Sequence, residues 1–350
     1  MTSPSKLHRS VRSGLAPAAK ALLFKSGALD VLRKVRPSDR LAILRYHAIC
    51  GPEGYAYASP GICISPEAFE AHVAYLASNY NVLPLPEAVT ALRDRRALPP
   101  NAVAITFDDG YADNLEAARA LARHGLSATF YITAGCLADG EPFWPSELRY
   151  LIRALPVGRL TLEAAGRTIT LELTSDDARD QAVGVLTKTF KAHPIAVRED
   201  LRSQLRARAG QVQLPRIMLT WDEVREMHAL GMTIGSHTVT HPNLPNAGLP
   251  SARQELAMSR ARLEQEIQAP VTMFSYPNGG AERYLTPDVQ QAVREAGYEA
   301  ATTSRNAFAG QGSDLYALER IEVQESLREL VFALEVERFA FKPEARHAAP

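Results

Sequence analysis

Ala102-Val103-Ala104-Ile105-Thr106-Phe107-Asp108-Asp109-Gly110-Tyr111 is the stretch on which the reading of this chain turns. Six residues, mostly apolar, run straight into an acidic pair and a glycine, the pattern of a buried strand that ends in a tight turn. Leu115–His124 then has helical spacing and closes at Gly125, and Ala128–Thr133 is the next apolar run. Strand, helix and strand at these lengths make a parallel β/α unit. Upstream, Leu41–Tyr46 is another short apolar run, and Ser65-Pro66-Glu67 opens a helix with a capping serine and a first-turn proline.

The same rhythm returns later in the chain. Thr220-Trp221-Asp222-Glu223 is a capping box whose helix ends near Gly231. Met232–Gly235 is a strand, Ser251–Gln268 a long helix with Ser251 and Gln254 as cap partners, and Val271–Tyr276 a strand. A helix over Val289–Ala296, strands at Tyr298–Thr303 and Leu318–Val323, and a helix opening at Ser326 follow. Residues 145–215 break the pattern: Arg159–Leu173 alternates apolar and polar around Ala164-Ala165-Gly166 as a hairpin, and charged helical segments come next. This segment is expected to be an insertion between two β/α units, either decoration or a lid that shapes access to the site.

Composition narrows the class. Of 350 residues, 46% are hydrophobic and 22% charged, ordinary for a globular protein, and 39 basic side chains balance 39 acidic ones. No global basic field calls for nucleic acid. The charge is uneven, however: residues 1–40 carry nine Lys and Arg against Asp30 and Asp39. That stretch is expected to be a basic, solvated N-terminal arm, or in a sharper reading an arm resting on an anionic membrane surface. No run of 18 apolar residues is present, and Leu15–Phe24 is broken by Pro17 and Lys20, which disfavours a secretory leader. Cys50, Cys63 and Cys136 lack metal-ligand spacing and suit reduced thiols, so a cytoplasmic, at most membrane-peripheral, location is expected. The expected organisation is an arm over 1–40, one catalytic unit over 41–342 carrying the 145–215 insertion, and a tail over 343–350.

Two constellations carry chemistry. Asp108 and Asp109 stand at a strand end, where side chains diverge, so one can bind a metal while the other handles protons. Asp-Gly pairs are also common turn formers. The second constellation is Gly235-Ser236-His237-Thr238-Val239-Thr240-His241-Pro242, again at a strand end. Pro242 pushes His241 away from helical geometry, and no metalloprotease glutamate is present, so a zincin helix is excluded. Two histidines and a carboxylate on one rim make a three-ligand metal site with positions left for water and a substrate oxygen.

With Phe274-Ser275-Tyr276-Pro277-Asn278-Gly279 as a third motif, these stretches resemble the polysaccharide deacetylases (the NodB-homology group, carbohydrate esterase family 4). The resemblance covers about 41–142 and 216–335. It implies a distorted (β/α) barrel of about seven strands with its site at the strand C-termini, and removal of N-acetyl groups from amino-sugar residues of a polymer, oligomer or lipid-linked glycan. It further implies Asp109, His237 and His241 as ligands of a divalent metal, zinc or else cobalt or nickel, and Asp108 as the catalytic base. Tyr111 is then a candidate to donate its backbone N–H to the developing oxyanion, or else packs at the helix start. Tyr276 and Pro277 of the third motif are candidate substrate contacts, and Trp144 either stacks on a sugar or packs in the core.

Two departures from the family pattern stand out. The third motif lacks its usual Arg, which orients the base; Arg320, Arg45 and Arg305 are candidates to replace it. The late histidine that supplies the general acid is also absent. Elimination among the nine histidines leaves His47, in Arg45-Tyr46-His47, which resembles the subgroup acting on β-1,6-linked poly-N-acetylglucosamine; a core histidine at a strand end is the plain alternative. Two other readings stay open: a hydrolase of a non-sugar amide on the same scaffold, and a carbohydrate-binding protein that has lost activity. Oligomeric state is open.

Overall fold

The computed structural model describes residues 17–280 and 284–339. The chain begins with α1 (Pro17–Lys25) and α2 (Ala28–Val35), then enters β1 (Ala42–Tyr46). Two short strands, β2 (Ala48–Ile49) and β3 (Cys63–Ile64), precede α3 (Pro66–Asn79), β4 (Asn81–Val82) and α4 (Leu85–Arg93). β5 (Ala102–Phe107), α5 (Asn114–Arg123) and β6 (Thr129–Ile132) follow. Next come α6 (Trp144–Ala154), the hairpin of β7 (Arg159–Ala164) and β8 (Arg167–Glu172), α7 (Asp176–Ala192) and α8 (Ile195–Ala209). The second half contains α9 (Trp221–Ala229), β9 (Thr233–Ser236), α10 (Leu244–Ala247), α11 (Leu249–Ile267), β10 (Met273–Ser275), α12 (Pro287–Glu295), β11 (Ala300–Asn306), β12 (Leu318–Glu322) and α13 (Leu327–Glu335).

Seven strands run parallel in the order β1-β12-β11-β10-β9-β6-β5, and β1 pairs with β5 to close them into a barrel. β5 is buried along its whole length, which explains why it is apolar without alternation: in a closed parallel sheet one face meets the barrel interior and the other the helices. Phe107 stacks on Phe130 and on Tyr46 within that core. β4 borders only the first two residues of β5 and lies outside the ring. All seven barrel strands deliver their last residues to one rim.

The capping predictions hold at Ser65, whose hydroxyl accepts from the Ala68 amide, and at Thr220–Glu223, where both halves of the box form. Ser251 is a correction. The helix begins earlier, at Leu249-Pro250 behind Gly248, so Ser251 is inside it and caps nothing; Pro250 suits the first turn because it has no amide to satisfy. β4 and α4 were not singled out in the sequence, being too short to show a period.

The N-terminal stretch is a second correction. Residues 17–35 are not a solvated arm but two helices docked on the barrel. Lys20 is buried, pairs with Glu329 at 2.8 Å and lies over the Phe332 ring, while Leu29 joins Val331 and Phe332 in a small core. Arg33 donates to Tyr75 and Asn79 on α3. The basic side chains were thus counted correctly, but part of them serves packing rather than solvation. The first 16 residues of the arm and the 343–350 tail lie outside the described residues.

The segment between β6 and α9 has its own hydrophobic cluster, including Trp144, Leu148, Leu162, Leu186, Phe190 and Leu201. A buried ion pair, Arg202 to Glu147 at 2.6 Å, ties α8 to α6. Both α6 and the α7–α8 pair stand beside the rim at which the barrel strands end.

Candidate active site

The site grows from two strand-end turns. β5 ends at Phe107, and Asp108 continues its pairing by donating its amide to the Tyr46 carbonyl. Asp109 then adopts a left-handed backbone with φ 78°, and Gly110 follows at φ 91°. This reversal sends the two adjacent carboxylates to different neighbours. Left-handed conformations at non-glycine residues persist only where the surroundings fix them, and here they recur at Thr238 and His241 as well.

Asp109, His237 and His241 present ligand atoms that all lie within 4.8 Å of one another, and all three residues are buried. The Nε2 atoms of His237 and His241 are each 3.4 Å from Asp109 Oδ1. His237 Nδ1 donates to the Ser275 carbonyl at 2.8 Å, which leaves the Nε2 lone pair facing Asp109. Burial pushes the His241 imidazole down to about 4 despite the opposing Asp109 charge. Burial alone would raise the Asp109 carboxyl, but the neighbouring His237 and His241 imidazoles hold it well below the ordinary range. An ionised carboxylate and a neutral imidazole are the protonation states a divalent cation requires, so this donor set fits the metal.

The loop that carries the histidines is organised from elsewhere in the chain. Glu255 on α11, itself buried, accepts from the amides of Val239 and Thr240 and from the Thr240 hydroxyl at 2.6–2.9 Å. Arg198 on α8 donates to the Thr240 carbonyl and hydroxyl, and Trp144 on α6 donates its indole N–H to the His241 carbonyl at 3.0 Å. Gly235 is required by packing: a Cβ there would stand 2.5 Å from the Tyr131 ring. No motif marks Glu255 or Arg198 in the sequence, because both act through contacts made only after folding.

Asp108 faces the opposite way. Arg320 on β12 grips it bidentately, with both N–O distances at 2.7 Å, and the same guanidinium donates to the Thr303 carbonyl and to the Thr106 and Ser275 hydroxyls. Among the three arginines left open by the sequence, Arg320 is the one hydrogen-bonded to Asp108. Ser275, in the motif that lacks its Arg, accepts from this guanidinium, which arrives from two strands away. Arg45 instead pairs with Glu322 at 3.4 Å. Burial works against ionisation of Asp108, yet the Arg320 charge outweighs it and holds the carboxyl far below the usual range. His47 Nε2 is 3.7 Å from Asp108 Oδ2, and its main-chain carbonyl is fixed by the Asn114 side chain. Burial draws the His47 pKa down, against the pull of Asp108 and Asp109.

These groups share one cleft of about 850 Å³. Asp108, Asp109, His237, His241, His47 and Arg320 lie at its floor, and the wall includes Asp180, Gly184, Lys188 and Lys191 from α7. The inserted segment thus forms part of the cleft. Tyr276 lines it too, but its hydroxyl is donated to the Tyr316 carbonyl; Pro277 does not line it. Tyr111 is buried between Tyr57 and Phe143, and the bridge to Met218 uses the Gly110 carbonyl and the Ala112 amide, which leaves the Tyr111 amide outside that pairing. Trp144 lines the cleft but is only 2% exposed, and its indole N–H is spent behind His241.

The polysaccharide deacetylase family model matches residues 95–301. The Bacillus subtilis (strain 168) protein YxkH, named for the same family, is 23% identical over 306 residues, spanning 87% of this chain and 78% of YxkH. Among solved structures, the Streptococcus pyogenes deacetylase PplD in complex with acetate superposes with a TM-score of 0.57 at 19% identity, over 85% of this chain and 99% of that one. IcaB from Ammonifex degensii gives 0.56 at 18% identity, over 85% and 98%. At these identities the two structures speak for the shared fold.

Proposed function

Because the chain belongs to the polysaccharide deacetylase family, we propose that it removes N-acetyl groups from N-acetylglucosamine-type residues of a poly- or oligosaccharide or lipid-linked glycan, with a divalent metal, zinc or a similar ion, as its cofactor. The observation that carries this reading is the convergence of a three-ligand cluster and a bidentately held carboxylate on the floor of one cleft. Asp109, His237 and His241 are the residues that would hold the ion; two imidazoles and one carboxylate suit zinc-like metals better than magnesium. When bound there, such an ion lowers the pKa of a water toward about 7 and polarises the acetamide carbonyl.

The chain's own groups do the rest. Asp108 accepts the proton of the attacking water, and Arg320 keeps that carboxylate ionised and aimed. His47, across from Asp108, donates a proton to the departing amine. Glu255, Arg198 and Trp144 hold the histidine loop in its strained conformation. The absence of a motif Arg had kept a catalytically impaired reading open; Arg320 supplies the missing contact from another strand.

Metal removal tests the proposal directly. Chelation is expected to abolish acetate release from acetamido oligosaccharides, and zinc, cobalt or nickel to restore it, while His237→Ala and His241→Ala variants should hold less metal than the parent. Equal metal content in all three proteins would refute the ligand assignment. A panel of β-1,4 and β-1,6 oligomers identifies the linkage.

His47→Ala is expected to keep metal and fold yet lose most turnover on acetamido sugars. Activated acetate esters should suffer less, since their leaving groups need little protonation. Equal loss on amides and esters would make His47 a structural residue.

A further inference from the structure

We propose that α7 carries an anion subsite, in which Lys188 and Lys191 receive a phosphate or carboxylate group borne by the glycan next to the acetamido sugar. The inference rests on the deacetylase reading above and concerns which glycans the cleft takes. Asp180, Val183, Gly184, Thr187, Lys188 and Lys191 all line the cleft. Their spacing of three and four residues places them on a single face of α7. This face is the wall that the inserted segment adds to the barrel.

The charges along the cleft are the deciding observation. Arg320 is committed to Asp108, Arg45 to Glu322, and Arg149 to the Tyr55 carbonyl, with Asp180 at 3.8 Å. Asp180 is itself engaged by Arg153 at 3.1 Å. Lys188 and Lys191 make no side-chain hydrogen bond or ion pair with any described residue. They stand three positions apart on the cleft face of α7, Lys188 exposed to solvent and Lys191 half-buried. Lys191 is partly buried and near enough to Asp109 and His241 to feel their field. A divalent ion on those ligands would add further positive charge beside it. Two unpartnered cations in a cleft of that sign are complementary to an anion arriving with the substrate.

The backbone beneath the lysines agrees. Gly184 sits in the middle of α7, where glycine is a poor helix former, and a Cβ built there meets nothing within 4 Å. Packing therefore does not require the glycine. Its missing side chain leaves the helix backbone bare on the cleft wall, one turn before Lys188, where a pyranose ring can approach closely.

The test is equilibrium binding of the zinc-loaded full chain at low salt, using N-acetylglucosamine 1-phosphate against N-acetylglucosamine. A second pair, a glucuronate-containing N-acetylglucosamine disaccharide against N,N′-diacetylchitobiose, distinguishes carboxylate from phosphate as the source of charge. At least one anionic probe is expected to bind about tenfold or more tightly than its neutral partner. In a Lys188→Met/Lys191→Met variant with unchanged metal content and melting temperature, that ratio should fall to near one. A preference that survives in the variant would assign the anion to the metal or to another group and overturn the subsite, as would the lack of any preference in the parent. Acetate release from the β-1,4 and β-1,6 oligomers is followed in parallel. If none of these releases acetate, the deacetylase reading fails, and the binding ratios still decide the subsite.

Discussion

Asp108→Asn is expected to cut turnover by about 10²–10⁴, the usual worth of a general base, while leaving the metal in place. Asp108 is 4% exposed and shares no ligand role with Asp109, whose turn sends it to the histidines. An amide of the same shape cannot accept the water's proton, so the loss should appear in kcat. The two Arg320 nitrogens that grip the carboxylate would then face a group with one acceptor instead of two, and some loss of stability is expected alongside. Metal analysis and thermal melting separate these effects. A variant with near-parental turnover would exclude Asp108 as the base; one that loses its metal would place Asp108 among the ligands.

Arg320→Met is expected to be the most damaging single change to stability, by about 3–5 kcal/mol, because it strands a buried carboxylate without its partner. Its diagnostic effect is on pH dependence. In the parent, Arg320 holds the Asp108 pKa below its unfolded value of about 3.9, so the pair stabilises the fold above that pH and the contribution is lost as pH falls toward the folded pKa. Without the guanidinium, burial acts unopposed and the Asp108 pKa rises. The acidic limb of the rate profile should therefore move to higher pH. Arg320→Lys restores charge without the planar fork and should lie between the two. Chemical denaturation and a kcat–pH profile give the measurement. An acidic limb that stays in place would show that Arg320 serves folding alone. A Ser275→Arg/Arg320→Ser exchange would return the arginine to the third motif, and partial recovery over Arg320→Ser alone is expected.

Much of the site was legible because its signals are local. A buried strand shows its period, an Asp-Asp-Gly turn shows its chemistry, and a proline after His241 forbids a helix, all within a few residues. These gave the parallel β/α units, the acid pair and the histidine pair, while the barrel followed from the resemblance to the family. The same local logic failed at Ser251, where a proline upstream claimed the helix start, and at residues 17–35, where composition cannot tell a solvated lysine from Lys20 buried against Glu329.

What the sequence by itself determined, then, is which elements form and which reactive groups stand at their ends, since both follow from short-range sterics and hydrophobic period. Which groups meet was decided only by the tertiary structure. Closure of the barrel sets β1 between β5 and β12, and so brings Arg320 onto Asp108, 212 positions away. It also leaves Arg45 on Glu322 and brings His47 to within 3.7 Å of the same carboxylate. Glu255, Arg198 and Trp144 reach the histidine loop from three separate helices. Charge pairing and loop support of this kind depend on distances through space, and no spacing along the chain encodes them until the sheet has closed.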